Sequence, residues 1–320
     1  MRCSAVSCVI LGLLLTGCSS EPTRPEDPSQ IVYVDESPAW SPVGDSIAYH
    51  RGVWSGDGSP GVYLVHLSGS GTRLIVADDG DWISQLEFSP DGTQLAGTRN
   101  GQLVVISVAD GAVAEPFHTE NLVSRPEWSP DQSRIVLNRN AWYPPESPDS
   151  AGVQIYDFST NRCEPLIHSS PNPTWGEDPT WSPDGTTIAF IKDGELWLAQ
   201  ADGTGLRQIV GVQGGEILST PRWIENGQRI LYEHLFDGTY TTWVTTVDGT
   251  VRGRWPFRLG DSEGISPDGQ QIVVRSGQRD GTTLYVLLYR RSLYGQASES
   301  LIPVTHYAPG GSIRSGRPLQ

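Results

Sequence analysis

Leu86-Glu87-Phe88-Ser89-Pro90-Asp91-Gly92 and Pro179-Thr180-Trp181-Ser182-Pro183-Asp184-Gly185 read almost alike, and four further stretches repeat the pattern. Two are Pro38-Ala39-Trp40-Ser41-Pro42 and Pro126-Glu127-Trp128-Ser129-Pro130-Asp131. The others are Pro221-Arg222-Trp223-Ile224-Glu225-Asn226-Gly227 and Gly264-Ile265-Ser266-Pro267-Asp268-Gly269. Successive copies lie between 40 and 53 residues apart. A period in that range marks an array of equivalent supersecondary units.

Each copy carries turn chemistry. Proline presets φ at the second position, serine and aspartate bond the local backbone, and glycine accepts a positive φ. A short alternating run follows each turn: Ile47-Ala48-Tyr49, Leu95-Ala96-Gly97, Ile135-Val136-Leu137, Ile188-Ala189-Phe190, Ile230-Leu231-Tyr232 and Ile272-Val273-Val274. Such alternation marks strands. Third runs follow at 62–67, 103–108, 153–158, 195–200, 240–247 and 283–289, and fourth runs at 164–167 and 207–210. Four strands joined by tight turns make one propeller blade. The expected fold is therefore all-β: a six-bladed β-propeller of four-stranded antiparallel blades over residues 31–308, with a tail at 309–320. Its blades are expected near 36–79, 80–119, 120–170, 171–213, 214–258 and 259–306. Trp40, Phe88, Trp128, Trp181, Trp223 and Ile265 close the first strands, where a large flat side chain fills the wedge between neighbouring units.

The Pro-x-Trp-Ser-Pro-Asp-Gly-x-x-Ile-Ala-Phe pattern resembles the WD-like propeller repeat of TolB, the periplasmic protein of the Tol system, over residues 36–306. The propeller of prolyl-oligopeptidase-type peptidases carries a similar repeat. Against those peptidases the chain would leave no room for a hydrolase domain. Against TolB it would lack a separate N-terminal α/β domain and add a lipid anchor. Leu15-Thr16-Gly17-Cys18, after Arg2 and an apolar stretch from Ala5 to Leu15, resembles the lipobox of bacterial lipoproteins. That resemblance implies a signal peptide at 1–17, acylation of Cys18 and, with Ser19 next, sorting to the outer membrane. Ser19 to Gln30 holds three prolines and no apolar residue, a tether reaching at most ~40 Å.

Of the four cysteines, Cys3 and Cys8 would leave with the signal, Cys18 would carry lipid, and Cys163 would remain a solitary thiol. The formal charge of −15 excludes a nucleic-acid partner, which needs a basic footprint.

The repeated topology puts the short Ser-Pro-Asp-Gly turns on one side and, on the other, connections expected to be long and to bear the unusual residues, among them 51–61, 140–152, 168–178 and 233–237. Loops on a rigid scaffold are where binding concentrates. The expected partner-binding face comprises Trp54, Trp82, Arg125, Trp142, Tyr143, Trp175, Glu177, Asp178, His234, Asp261 and Glu263. Ser37, Gln85, Arg125, Asp178, Thr220 and Ser262, three residues before each core position, should approach the central channel. A mixed, acidic mouth there suits an envelope protein or peptide, a basic one above all; a glycan stacked on the tryptophans is the alternative. Asp78, Asp79 and Asp81 are weak calcium candidates, with a solvated turn as the commoner reading. Catalytic motifs are absent: no Gly-x-Ser-x-Gly elbow, no His-Glu-x-x-His and no phosphate loop. The expectation is a non-enzymatic scaffold without cofactor, touching the membrane through its lipid only; the alternative is a carbohydrate-binding or polysaccharide-lyase-type propeller. Two local expectations complete the reading. Ile31 to Val34 would close the ring as the fourth strand of the last blade, and Gln132 would hold a positive φ where the other turns use glycine.

Overall fold

The computed structural model describes residues 32–301, apart from 56–58, 69, 120–121, 141–150, 168–175, 256–263, 267–268, 281–282, 293 and 295–298. Cys18, Trp142, Tyr143, Trp175, Asp261, Glu263 and Ser262 lie outside the described residues. The described chain is almost entirely strand, in six consecutive quartets. The first is β1 (Val32–Trp40), β2 (Ser46–Ser55), β3 (Gly61–His66) and β4 (Arg73–Ala77). The second is β5 (Ile83–Phe88), β6 (Gln94–Arg99), β7 (Gln102–Ser107) and β8 (Val113–Ala114). The third is β9 (Leu122–Trp128), β10 (Arg134–Asn140), β11 (Gly152–Asp157) and β12 (Arg162–Pro165).

The fourth runs β13 (Gly176–Trp181), β14 (Thr187–Lys192), β15 (Glu195–Gln200) and β16 (Arg207–Val210). The fifth runs β17 (Ile217–Ile224), β18 (Arg229–Phe236), β19 (Thr239–Thr246) and β20 (Arg252–Arg254). The sixth runs β21 (Gly264–Ile265), β22 (Gln271–Asp280), β23 (Thr283–Ser292) and β24 (Glu299–Leu301). Quartets two to five are separate antiparallel meanders, each with its strands paired in chain order. Among the described residues no helix is long and apolar enough to cross a membrane.

The repeated turn works as its composition requires. Ser182 is buried; its N–H donates to Thr187 O at 2.8 Å, and its Oγ accepts from Thr187 N–H at 2.9 Å. Its hydroxyl donates to Asp184 Oδ1 at 2.6 Å, and the same oxygen accepts from Thr186 N–H and Oγ1–H at 3.0 and 2.9 Å. Ser89–Asp91–Thr93 and Ser129–Asp131–Ser133 repeat this network. These donors hold the Asp91, Asp131 and Asp184 carboxyls below the usual range. Gln132 has φ 61, as expected. In the fifth quartet a 3₁₀ turn at Glu225–Gly227 replaces the motif, with Glu225 and Asn226 both at positive φ.

First strands lie inside. β1 packs on β5, β5 on β9, β9 on β13, β13 on β17, and β21 on β1. In quartets one to five, the aromatic near the end of the first strand is the wedge the sequence suggests. Phe88 packs with Ala39, Ala48 and Val62 of the first quartet, and Trp128 with Leu103 and Val105 of the second. Trp181 meets Val136, Val153 and Leu166 of the third, and Trp223 the fourth-quartet residues Leu196 and Leu198. Trp40 reaches Val273 of the sixth.

Two expectations are corrected. Val32 to Val34 is no separate clasp: it continues into Trp40 as one strand, paired along β2 and joined to β23 by one parallel bridge, Val34 to Val286. The antiparallel place beside β23 belongs to β24, because Glu299–Leu301 reaches it by a local return. The first and last quartets thus share one eight-stranded sheet. A bidentate pair, Arg51 to Asp35 at 2.8 and 3.0 Å, anchors that part of β1 to β2. Nor are the connections opposite the Ser-Pro-Asp-Gly turns generally long. Residues 51–55 belong to β2 and Glu233–Phe236 to β18, because both strands extend to short hairpins or loops rather than ending early.

Candidate functional site

Five first strands, β1, β5, β9, β13 and β17, share one irregularity. In each, the ladder to the second strand slips where a non-glycine residue holds a positive φ: Ser37 (51), Gln85 (56), Arg125 (53), Asp178 (51) and Thr220 (46). A β-bulge re-aims side chains and frees backbone groups. Here the freed groups link neighbouring quartets. Gln85 N–H donates to Ser37 Oγ at 2.9 Å, and Arg125 N–H donates to Gln85 Oε1 at 2.8 Å. Arg125 Nε lies 3.2 Å from Asp178 Oδ1, while Thr220 N–H donates to Asp178 Oδ2 at 2.9 Å. Through three backbone-to-side-chain hydrogen bonds and one side-chain ion pair, the bulges form a relay around one end of a channel. These are the positions that the sequence assigned to the channel, Ser262 lying outside the described residues.

The channel is a cavity of about 300 Å³ lined from the first strands of all six quartets. One step further along, at the position just before each core aromatic, stand Ala39, Glu87, Glu127, Thr180, Arg222 and Gly264. Glu87, Glu127 and Arg222 all line the cavity. Glu127 Oε1 accepts from Trp181 N–H at 2.7 Å and from Thr180 Oγ1–H at 3.1 Å. Glu87 accepts no hydrogen bond among the described residues. Desolvation, followed by the neighbouring Glu127, raises the Glu87 carboxyl well above the usual carboxylate range, with Arg222 opposing. Glu127 is raised less, because Arg222 and its two donors favour the ionised form. Solvent reaches both side chains partially, through the channel.

The remaining expected residues fall apart in space. Trp82 is 39% exposed and lies over the buried His50 ring at 4.1 Å between centroids, against Gly52. Trp54 lies on β2, its side chain outside the described set. Glu177 is exposed beside Asp178; partial desolvation of its carboxyl, followed by the charge of Asp178, raises it, with Arg125 opposing. His234 sits on β18, 3.5 Å from Glu216, between Phe236 and Trp243. Asp78 holds His50 Nε2 at 2.9 Å, and Asp79 lies 3.8 Å from Arg99. Among the described residues no group of three His, Cys, Asp or Glu side chains could hold a metal ion, and Asp81 joins none. Arg125 and Asp178 are thus brought together at the channel, whereas Trp82 and His234 are not. Sequence reasoning missed Glu87, Glu127 and Arg222. The signal was their shared place one residue before the core aromatic.

Residues 129–243 match the family described as Dipeptidyl peptidase IV (DPP IV) N-terminal region. An uncharacterized peptidase of Bacillus subtilis, YuxL, is 30% identical over 114 residues, 34% of this chain but 17% of that protein. The chain thus spans under a fifth of that relative. Among solved structures, TolB from Acinetobacter baumannii superposes with a TM-score of 0.53 at 20% identity, over 68% of this chain and 53% of that one. The chain folds as a TolB-like β-propeller. An oligogalacturonate lyase from Vibrio parahaemolyticus shares the propeller, with a TM-score of 0.60 at 17% identity over 85% of this chain and 79% of the lyase.

Proposed function

We propose that this propeller is a non-enzymatic capture module of the bacterial cell envelope, receiving a basic segment of another envelope protein at its channel mouth. Cys18 would carry the lipid anchor and Ser19 to Gln30 the tether, on the periplasmic side of the outer membrane. One observation supports the reading above others: the first strands of six quartets converge on one cavity that holds Glu87 and Glu127, behind a mouth fixed by the bulge relay. The charge of −15 suits a cationic partner and its long-range attraction.

Photo-cross-linking in intact envelopes tests this. Benzoylphenylalanine at exposed Glu177, beside the mouth, should capture one protein. The same group at Val43, 66% exposed on the face of the Ser-Pro turns, should not. Equal products from both positions would overturn the reading. So would manganese-dependent turnover of oligogalacturonate, or retention on a glycan array, either of which would favour the carbohydrate-directed alternative.

A further inference from the structure

The second tier of the channel has an unmet chemical demand. Glu127 spends Oε1 on Trp181 and Thr180, which leaves Oε2 without a hydrogen bond among the described residues. Both Glu87 oxygens are likewise without one. Three acceptor positions therefore face a cavity of about 300 Å³. An alkylammonium carries three donors and no acceptor. Arg222, whose Nη1 donates to Pro221 O at 3.0 Å, adds one positive charge to the tier. With both glutamates ionised, Glu87, Glu127 and Arg222 sum to a charge of −1, complementary to one positive charge. A dication would meet Arg222 and only two carboxylates.

We propose that the tier of Glu87, Glu127 and Arg222 binds one alkylammonium group, such as a lysine side chain, between the two carboxylates. This rests on the capture reading and names the group the channel takes. Without a cation beside it Glu87 favours its neutral form, since burial, followed by Glu127, raises its carboxyl, with Arg222 opposing. An entering ammonium reverses that balance, and the Glu87 proton leaves to solvent. The other charged groups lining the cavity are Glu127 and Arg125 on β9, Asp178 on β13 and Arg222 on β17. Arg125 and Asp178 are paired with each other, and the described lining residues of β1 and β21 are uncharged. The exchange therefore falls to Glu87, with Glu127 following at lower pH.

Calorimetry of the purified full chain with Nα-acetyl-lysine amide, in two buffers of different ionisation enthalpy, tests this. Binding should tighten as pH rises from 6 to 8.5, by at most about ten-fold per pH unit, with up to one proton released per ligand. Nα-acetyl-norleucine amide, with a methyl group in place of the ammonium, should not bind. Glu87→Gln should weaken binding and flatten its pH dependence. Binding that is pH-independent without proton release, equal binding of the norleucine compound, or an unaltered Glu87→Gln profile would each overturn the proposal. Proton release is read on the unsubstituted chain, so the test survives a folding defect in the variant. Cross-linking from Glu177 that persists when lysine amide fails would sink the ammonium site alone. The reverse result would sink the protein-partner reading.

Discussion

The repeated turn allows a test in which one substitution stabilises and two destabilise by unequal amounts. Gln132 and Gly185 occupy equivalent positions, at φ 61 and 70. A side chain in the left-handed region costs about 1–2 kcal/mol, whereas glycine costs about 0.4–1 kcal/mol through the freedom of the unfolded chain. Gln132→Gly should therefore stabilise by about 0.5–1 kcal/mol. Gly185→Ala should destabilise by a similar amount, because the nearest atom to its Cβ, Pro130 Cδ, is 3.5 Å away. Gly203 differs. It shares a positive φ of 82, but its Cβ would lie 2.1 Å from the backbone oxygen of Leu166, in the chain just after β12 of the preceding quartet. Adding overpacking to strain gives about 3 kcal/mol or more for Gly203→Ala. In a chain of this size, 1 kcal/mol moves Tm by about 2–4 °C. Scanning calorimetry at one pH and scan rate should then rank the variants Gln132→Gly, unsubstituted, Gly185→Ala and Gly203→Ala, with the last lower by at least about 6 °C. A Tm that falls in Gln132→Gly, or equal losses at Gly185 and Gly203, would refute the reasoning.

Further outcomes are open to simple measurement. Asp131→Ala removes the acceptor of three hydrogen bonds and should cost about 1–2 kcal/mol at neutral pH by denaturant titration. The Asp131 carboxyl is lowered to about 2, so its contribution is present above the unfolded range near 4 and lost as pH falls; the gap between the two proteins should close in acid. Glu87 has the opposite sign. A carboxyl raised in the folded state gives stability that is full below its unfolded value and lost as pH rises, so the Tm advantage of Glu87→Gln should grow from pH 6 to 8.5. An advantage that shrinks over that range would contradict the assignment. Burial pushes the Cys163 thiol up to about 12, so a disulfide reagent should label it at neutral pH only after unfolding; fast labelling of the native chain would contradict its packing.

The fold was legible because each repeat states its own local rule. Ser89, Ser129 and Ser182 are buried switch points whose oxygen and N–H both bind residues five positions on, a purely local constraint. Core aromatics such as Trp181 were legible for the same reason: position within the repeat fixes the face. The acid pair was harder to see. Glu87 and Glu127 are forty residues apart, and Arg222 is further still; only curling of the quartets around a common axis brings them to one tier. The loop tryptophans misled in the other direction. Trp82 looks free in a polar stretch, yet His50 and Gly52, 32 and 30 residues earlier, offer it a flat seat.

The five left-handed residues of the relay carry a thermodynamic meaning of their own. Each is a conformation that an isolated chain avoids by about 1 kcal/mol or more, and each persists because packing and the next quartet over-determine it. The rim is consequently frozen when the chain folds, before any guest arrives. Association there, as proposed, would forfeit little main-chain entropy, and selectivity would fall to side-chain charge rather than to reshaping of the opening.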